Sequence, residues 1–287
     1  MTRSHDTPRQ ADGPGARVPR SGSLFPKGAL SWGVTWAVLG MLVVLPLAAV
    51  AVKAAEAGPA GIIASVSSPI ALSALALSFA AALAAAAINS VMGTLVAWVL
   101  VRYEFFGKTV VNSMVDIPFA LPTAVAGITL SELFGPRGWI GHLTPALTLA
   151  YRPIGVFVAM LFVSLPFAIR AIQPVLQDLD ADVEEAAALL GAGPFQTFAH
   201  VIVPALRPAM LTGLALGFAR AAGEFGSVVI ISGNIPQRTL TGPVLIYQRL
   251  EQYDTVGATG VAVVMLVLAL VTLLSVGLLQ GGRVSHV

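Results

Sequence analysis

Residues 184–208 read EEAAALLGAGPFQTFAHVIVPALRP, a polar and semi-polar island in a chain that is otherwise almost wholly hydrocarbon. Asp182 stands where an N-cap belongs and Glu185 follows three residues later, while Glu184 and Glu185 fall where the positive end of a helix dipole favours carboxylates. A helix is expected to start here. Gly191 supplies its stop, Pro194 suits the first turn of a second helix, and Pro204 is expected to end that one. Ala186, Leu189 and Leu190 make an apolar face on the first helix, and Phe195, Phe198 and Ile202 make one on the second. So short a pair is unstable alone in water. It needs a surface to lie on, either its own bundle or a separate protein.

Working outward, the chain becomes apolar on both sides. Of its 287 residues 56% are hydrophobic and 10% charged, against about 25% charged in an ordinary soluble domain, and its mean hydropathy is +0.86. This places the protein in a bilayer. There is no cysteine, which removes disulfide and thiolate chemistry and leaves the compartment open. The small excess of Lys and Arg reads first as topology. The aromatic residues lie in apolar runs without basic interleaving, which argues against nucleic-acid binding.

Six stretches have the roughly 20 mostly apolar residues that a helix needs to cross the hydrocarbon: 32–52, 70–101, 112–134, 153–173, 208–231 and 258–280. The expected fold is an all-α membrane protein of about six transmembrane helices. The second stretch exceeds one crossing and is read as one long tilted or protruding helix. Only Asn89 and Gly93 offer a turn that would split it. Residues 1–30, rich in Pro, Gly, Ser and Arg, are expected to be a disordered cytoplasmic tail, and residues 31–287 one transmembrane domain with the short helices near 182–204. Small residues in LAAVAVKAAEAG (47–58) suit a signal-peptide cleavage site. The long polar lead and extended apolar run favour an uncleaved span.

An even number of spans leaves both termini on one side. With the tail inside, Arg3, Arg9, Arg17, Arg20, Lys27, Arg102, Lys108, Arg170, Arg207 and Arg283 are cytoplasmic, against Lys53, Arg137, Arg152, Arg238 and Arg249 outside. This satisfies the positive-inside rule and puts the island at 184–208 in the cytoplasm. The external arginines are either solvated or face an acidic docking partner.

Two spans carry charge. In the fifth, Gly213 and Gly217 form a small-xxx-small pair for close helix approach, and Arg220 and Glu224, four apart, share a face. A charge at mid-bilayer costs about 2.5–3.5 kcal/mol on insertion scales, whereas an exposed pair at this spacing returns about 0.2–0.5 kcal/mol. The two residues are therefore expected to face the bundle interior, either as part of a gate or anion path or as a pair that fixes register. In the third, Asp116 precedes Pro118 and Pro122. Two prolines four apart leave either a broken helix lining a path or a kink at the membrane surface with Asp116 as cap.

The sequence resembles a known family at several points. Glu185, Ala186 and Ala187, then Gly191 after three residues, then Val201 to Pro204, is similar to the "EAA" motif of permease subunits of ATP-binding-cassette importers. Val201 and Val203 stand where that family commonly has Ile and Leu, changes close in volume. DIPFALPTAVAGITL (116–130), FARAAGEFGSVVIISGN (218–234) and VLIYQRLEQYDTVGAT (244–259) resemble the T-type permease of sulfate/thiosulfate importers, over roughly residues 30–280. Molybdate permeases share Gly223 to Gly226 and the GNIP at 233–236, which keeps a molybdate or tungstate permease as the alternative.

The resemblance implies a type I importer permease of the MetI-like fold in a bacterial inner membrane. Its implied partners are a second, W-type permease chain, two ATP-binding subunits and a periplasmic or lipid-anchored sulfate-binding protein. Glu185, Ala186, Ala187, Gly191 and Pro204 would couple to the ATPase, and Arg220, Glu224 and Asp116 are candidates for the path or gate. The phosphate-cradling pattern G-x-x-x-x-G-K-[ST] does not occur in the sequence, so ATP and Mg are expected on a partner and no cofactor on this chain. His5, His142, His200 and His286 lie far apart, no metal site is expected, and no Ser-His-Asp arrangement is recognisable, so no catalytic residue is assigned. An ion-coupled secondary transporter is the remaining rival; it would need no ATPase.

Overall fold

The computed structural model describes residues 29–180 and 182–281. Apart from Ala29 and Leu30, which are helical, the expected tail at 1–30 lies outside the described residues, as does Arg283. The chain divides into two compact units, residues 1–49 and 50–287. In the first, α1 (Ala29–Leu39) leads through a five-residue π-helical turn, Gly40–Val44, into the start of α2 (Leu45–Val66). Its apolar side chains, Trp32 and Trp36 among them, are exposed, as suits a surface solvated by lipid.

In the second unit α2 bends at Gly58, whose φ of 67° precedes Pro59. After it come α3 (Pro69–Arg102), α4 (Lys108–Met114), α5 (Ile117–Ala120), α6 (Thr123–Phe134), α7 (Pro153–Asp178), α8 (Asp182–Leu189), α9 (Pro194–Thr197), α10 (Val203–Ala222), α11 (Gly226–Ile231), α12 (Gly242–Glu251) and α13 (Thr255–Gly281). Among the described residues every regular element is helical. Five stretches are long and apolar enough to cross a membrane, Trp32–Val66, Pro69–Arg102, Pro153–Asp178, Pro194–Ala222 and Thr255–Leu278. The expected third span is instead divided at its prolines, and its apolar piece, Thr123–Phe134, is short. The expected fifth span, 208–231, is also displaced: its helix begins at Pro194 and stops before Gly223.

The long second span is one helix of 34 residues, about 51 Å at 1.5 Å per residue. Neither Asn89 nor Gly93 breaks it, because each is used sideways. Asn89 Nδ2 donates to Leu161 O at 2.8 Å and Ser164 Oγ at 2.9 Å, and Ser90 Oγ donates to Met210 O at 2.9 Å. These bonds tie α3 to α7 and α10. In lipid, helices associate through such bonds and through close van der Waals contact rather than through the hydrophobic effect. That is why the buried face of α3 is built of small residues, Ala71, Ala74, Ala82, Ala85, Ala86 and Ala97. A Cβ added at Gly93 would stand 2.9 Å from Ala168 Cβ, and one at Gly213 3.0 Å from Ala168 Cα. Ala168 of α7 is thus the point where three backbones meet.

Arg102, Leu179 and Glu184 meet at one end of the bundle, and Ser65, Arg249 and Gly257 meet at the other. The α8 end has its own core, with Ala97, Leu100, Ile169, Ile172, Leu176, Ile202 and Leu206 buried together.

Candidate functional site

Local chemistry sets the shape of the α8–α9 pair. Asp182 is the first helical residue rather than the cap, and its N–H donates to Asp180 Oδ1 at 3.2 Å. The capping oxygen therefore comes two residues earlier than the spacing suggested. Gly191 takes the left-handed conformation, φ 86°. Its N–H donates to Ala188 O and that of Ala192 to Ala187 O, at 2.9 and 3.0 Å, the paired bonds of a Schellman stop. Gln196 Oε1 then accepts from Gly193 N at 2.9 Å and closes the start of α9.

Pro204 does not end the second helix. The chain passes from α9 through a π-helical turn, Phe198–Ile202, directly into α10. Val203 N reaches back five residues to Phe198 O, and this wider turn makes room for a ring that lacks an N–H and would clash with the preceding turn of an α-helix. The extra residue also rotates the face. Phe195 is 80% exposed, whereas Phe198 packs on Trp98 with ring centroids 4.8 Å apart and Ile202 is fully buried. On α8, Leu189 and Leu190 are each 89% exposed. Leu189, Leu190 and Phe195 are therefore all left uncovered on a pair anchored by Phe198 and Ile202. Ala186 is exposed beside them and Ala187 half-buried.

Both divided spans carry an arginine–carboxylate pair at the break. At the first, between α4 and α5, Asp116 makes no cap bond. Instead Arg170 of α7 grips it with two parallel bonds, Nε to Oδ1 at 2.8 Å and Nη2 to Oδ2 at 2.5 Å. Arg170 also donates to Asn112 Oδ1 and O, each at 2.9 Å, and to Gln173 Oε1. Those five bonds match the five N–H groups of a guanidinium. Sequence reading counted Arg170 only as a topology charge and passed over Asn112 and Gln173; the one available signal was an arginine inside an apolar helical run. The group borders a polar cavity of about 320 Å³ that Lys108 also lines. With its donors committed, Arg170 acts as a clamp there rather than as a free anion site.

At the second break, between α10 and α11, Glu224 is 1% exposed. Its Oε2 accepts from Arg220 Nη1 at 2.6 Å, and its Oε1 accepts from Ser227 N and Ser227 Oγ, both at 2.8 Å. The carboxylate thus holds α10 and α11 across Gly223. The pieces beyond the two breaks also pack on each other: a Cβ at Gly127 of α6 would lie 2.7 Å from Ser227 O, and one at Gly226 of α11 2.1 Å from Thr123 Oγ1. Asp116 and the Arg220–Glu224 pair, grouped by the sequence as one candidate path, therefore belong to two separate breaks with separate partners.

At the end opposite α8, Arg249 is a staple. It donates to Gly257 O at 2.7 Å and Ser65 O at 2.9 Å and lies 3.8 Å from Asp254, joining α2, α12 and α13. It is not a solvated charge awaiting a partner. On α12, Tyr247 packs on Phe225, and a hydrogen bond with Glu251, aided by that carboxylate's charge, raises the phenol above its ordinary value of 10.0.

Residues 89–283 match the model of the binding-protein-dependent transport system inner membrane component. The chain belongs to that family. The Sulfate transport system permease protein CysT of a Synechocystis strain is 52% identical over 254 residues, covering 88% of this chain and 89% of that one. A probable sulfate transport system permease protein of Nephroselmis olivacea is 48% identical over 255 residues, with 88% and 90% covered. In fold, the chain is similar to the crystal structure of a bacterial ABC transporter involved in the import of the acidic polysaccharide alginate. The TM-score is 0.73 at 13% identity, over 90% of this chain and 97% of that one. For this family member, the multi-pass helical fold and the membrane setting follow directly.

Proposed function

We infer that this chain is the T-type permease subunit of an ATP-driven importer that moves sulfate or thiosulfate across a bacterial inner membrane. A W-type permease, two ATP-hydrolysing subunits carrying ATP and Mg, and an external sulfate-binding protein complete the assembly. The observation that carries the reading is the capped α8–α9 pair, which presents Leu189, Leu190 and Phe195 outward with the small Ala186 and Ala187 beside them. Exposed apolar side chains of that size on a firmly anchored element are what a docking partner buries. The sulfate permease names of relatives near 50% identity support the choice of solute.

The structure offers a route for the motion. Because Pro204 leaves the helix unbroken, Pro194–Ala222 forms one rod of 29 residues, about 43 Å at 1.5 Å per residue. One end lies at the docking face and the other at the Glu224 hinge. A displacement of α9 is passed along one continuous helical stretch to the break at Gly223. The solute itself needs little affinity here, since selectivity can reside in the external binding protein.

Uptake of labelled sulfate by a deletion strain complemented with this chain tests the reading. Uptake is expected to require the ATP-binding subunits and to be competed by unlabelled sulfate in preference to molybdate. Sulfate movement after their removal overturns it. Phe195→Ala is expected to weaken capture of the ATP-binding subunit by about 2 kcal/mol, roughly 30-fold, with the bundle still folded. Ala187→Trp is expected to block assembly and uptake together, since a large ring would hold the partner off, and co-purification of a tagged ATP-binding subunit reads both. Normal assembly in both variants removes α8–α9 as the docking face.

A further inference from the structure

Glu184 and Glu185 are neighbours in the first turn of α8 but face different ways. Glu185 is exposed. Glu184 turns inward, where its Oε1 accepts from Arg102 Nε at 2.7 Å, the two side chains being 19% and 21% exposed for Arg102 and Glu184 respectively. Arg102 is the last residue of α3. Its Nη2 also donates to Leu179 O at 2.8 Å, a carbonyl at the C-terminal cap of α7, where cations suit the negative end of the helix dipole. One guanidinium therefore joins the ends of α3 and α7 to the first turn of α8. One turn back along α3, Trp98 packs on Phe198 at a tilt, ring centroids 4.8 Å apart, and meets Tyr103 edge-on at 5.3 Å. The end of α3 thus touches both arms of the pair, α8 through charge and the π-turn through an aromatic face.

We propose that Arg102 and Glu184, supported by Trp98 and Phe198, form a second transmission contact that drives α3 whenever the α8–α9 pair moves. The inference rests on the coupling role proposed above and assigns the two adjacent carboxylates different duties. Glu185 faces the partner, and Glu184 is a positioning residue that hands the motion inward. The shielding matters. A fully exposed pair contributes little and holds no fixed geometry, whereas this one is largely removed from water and braced by a second bond to a backbone carbonyl. Without it, α8 stays joined to α7 and α9 by the chain on either side and still packs against the π-turn, but no charge fixes its first turn to the end of α3. Because α3 packs along both α7 and α10 and bonds to them through Asn89 and Ser90, the contact makes the three helices shift as one body.

The test uses the reconstituted importer with Arg102→Gln, Glu184→Gln and the double variant that carries both. Labelled sulfate accumulated and ATP hydrolysed are measured in the same vesicles. Each single variant is expected to lower sulfate moved per ATP by about fivefold or more, the low end of a typical coupling between sites, while the ATP-binding subunits still co-purify. The double variant is expected to lower the ratio no further than the worse single variant, because both residues act through one contact. An unchanged ratio in both single variants, or losses that add in full in the double variant, overturns the inference while leaving the coupling reading intact. Failure of the unaltered chain to capture the ATP-binding subunits overturns both.

Discussion

Gly213→Ala is expected to destabilise the bundle by about 1–3 kcal/mol, the cost of forcing an extra methyl into a packed core, while Gly217→Ala one turn later leaves it unchanged or slightly firmer. Both glycines belong to the same small-xxx-small pattern. At Gly213 the new Cβ would meet the backbone of α7, 3.0 Å from Ala168 Cα and 3.3 Å from Ala168 O. Backbone cannot rotate aside, and Ala168 is held on its other face by Gly93. At Gly217 the nearest atoms stand 3.8 Å away, an ordinary contact, and alanine is a better helix former than glycine by about 1 kcal/mol. Thermal denaturation of the two purified variants, followed by loss of the monodisperse peak on size exclusion, separates them. Equal midpoints would mean that α7 and α10 are not in backbone contact at Ala168.

Glu224→Ala carries the largest expected loss, about 3 kcal/mol or more, as for removal of one member of a buried ion pair. The substitution takes away three acceptor contacts at once. Arg220 is left charged within the span, and Ser227 N–H at the start of α11 loses its acceptor. Little folded protein should be recovered. The double variant Arg220→Met, Glu224→Leu removes both charges and is expected to regain much of the folded yield, because no uncompensated ion remains. Its transport activity then separates the two roles open to this pair. Recovered folding with recovered sulfate uptake marks a register device, whereas recovered folding without uptake marks a pair on the path or gate.

The breaks show how far the chain is readable. Pro118 and Pro122 announced an interruption in the third span, since a missing N–H and a ring clash are local properties. That Arg170 would close over it was not legible, because its partners Asp116 and Asn112 lie 54 and 58 positions away and nothing in the local pattern pairs them. Arg220 and Glu224 were legible as neighbours because four residues make one helical turn. Ser227, which completes the carboxylate's coordination, became a partner only when the helix stopped at Gly223. Pro204 misled for a related reason: proline ends a helix only where the chain has no other way to absorb the ring, and a π-turn anchored by Phe198 on Trp98 provides one.

The sequence alone determined the solvent, the class and part of the punctuation: a lipid-embedded helical chain, its long apolar runs, and the stop at Gly191 that separates the short α8 from the helix after it. These depend on hydropathy summed over 20 residues and on dihedral preferences within four, both local quantities. Only the tertiary structure decided which charges meet, that two spans are broken and latched, and that Leu189, Leu190 and Phe195 face outward while Phe198 and Ile202 face in. Those outcomes depend on helices packing side by side in lipid, where a hydrogen bond or a missing methyl between distant residues outweighs the propensity of either alone.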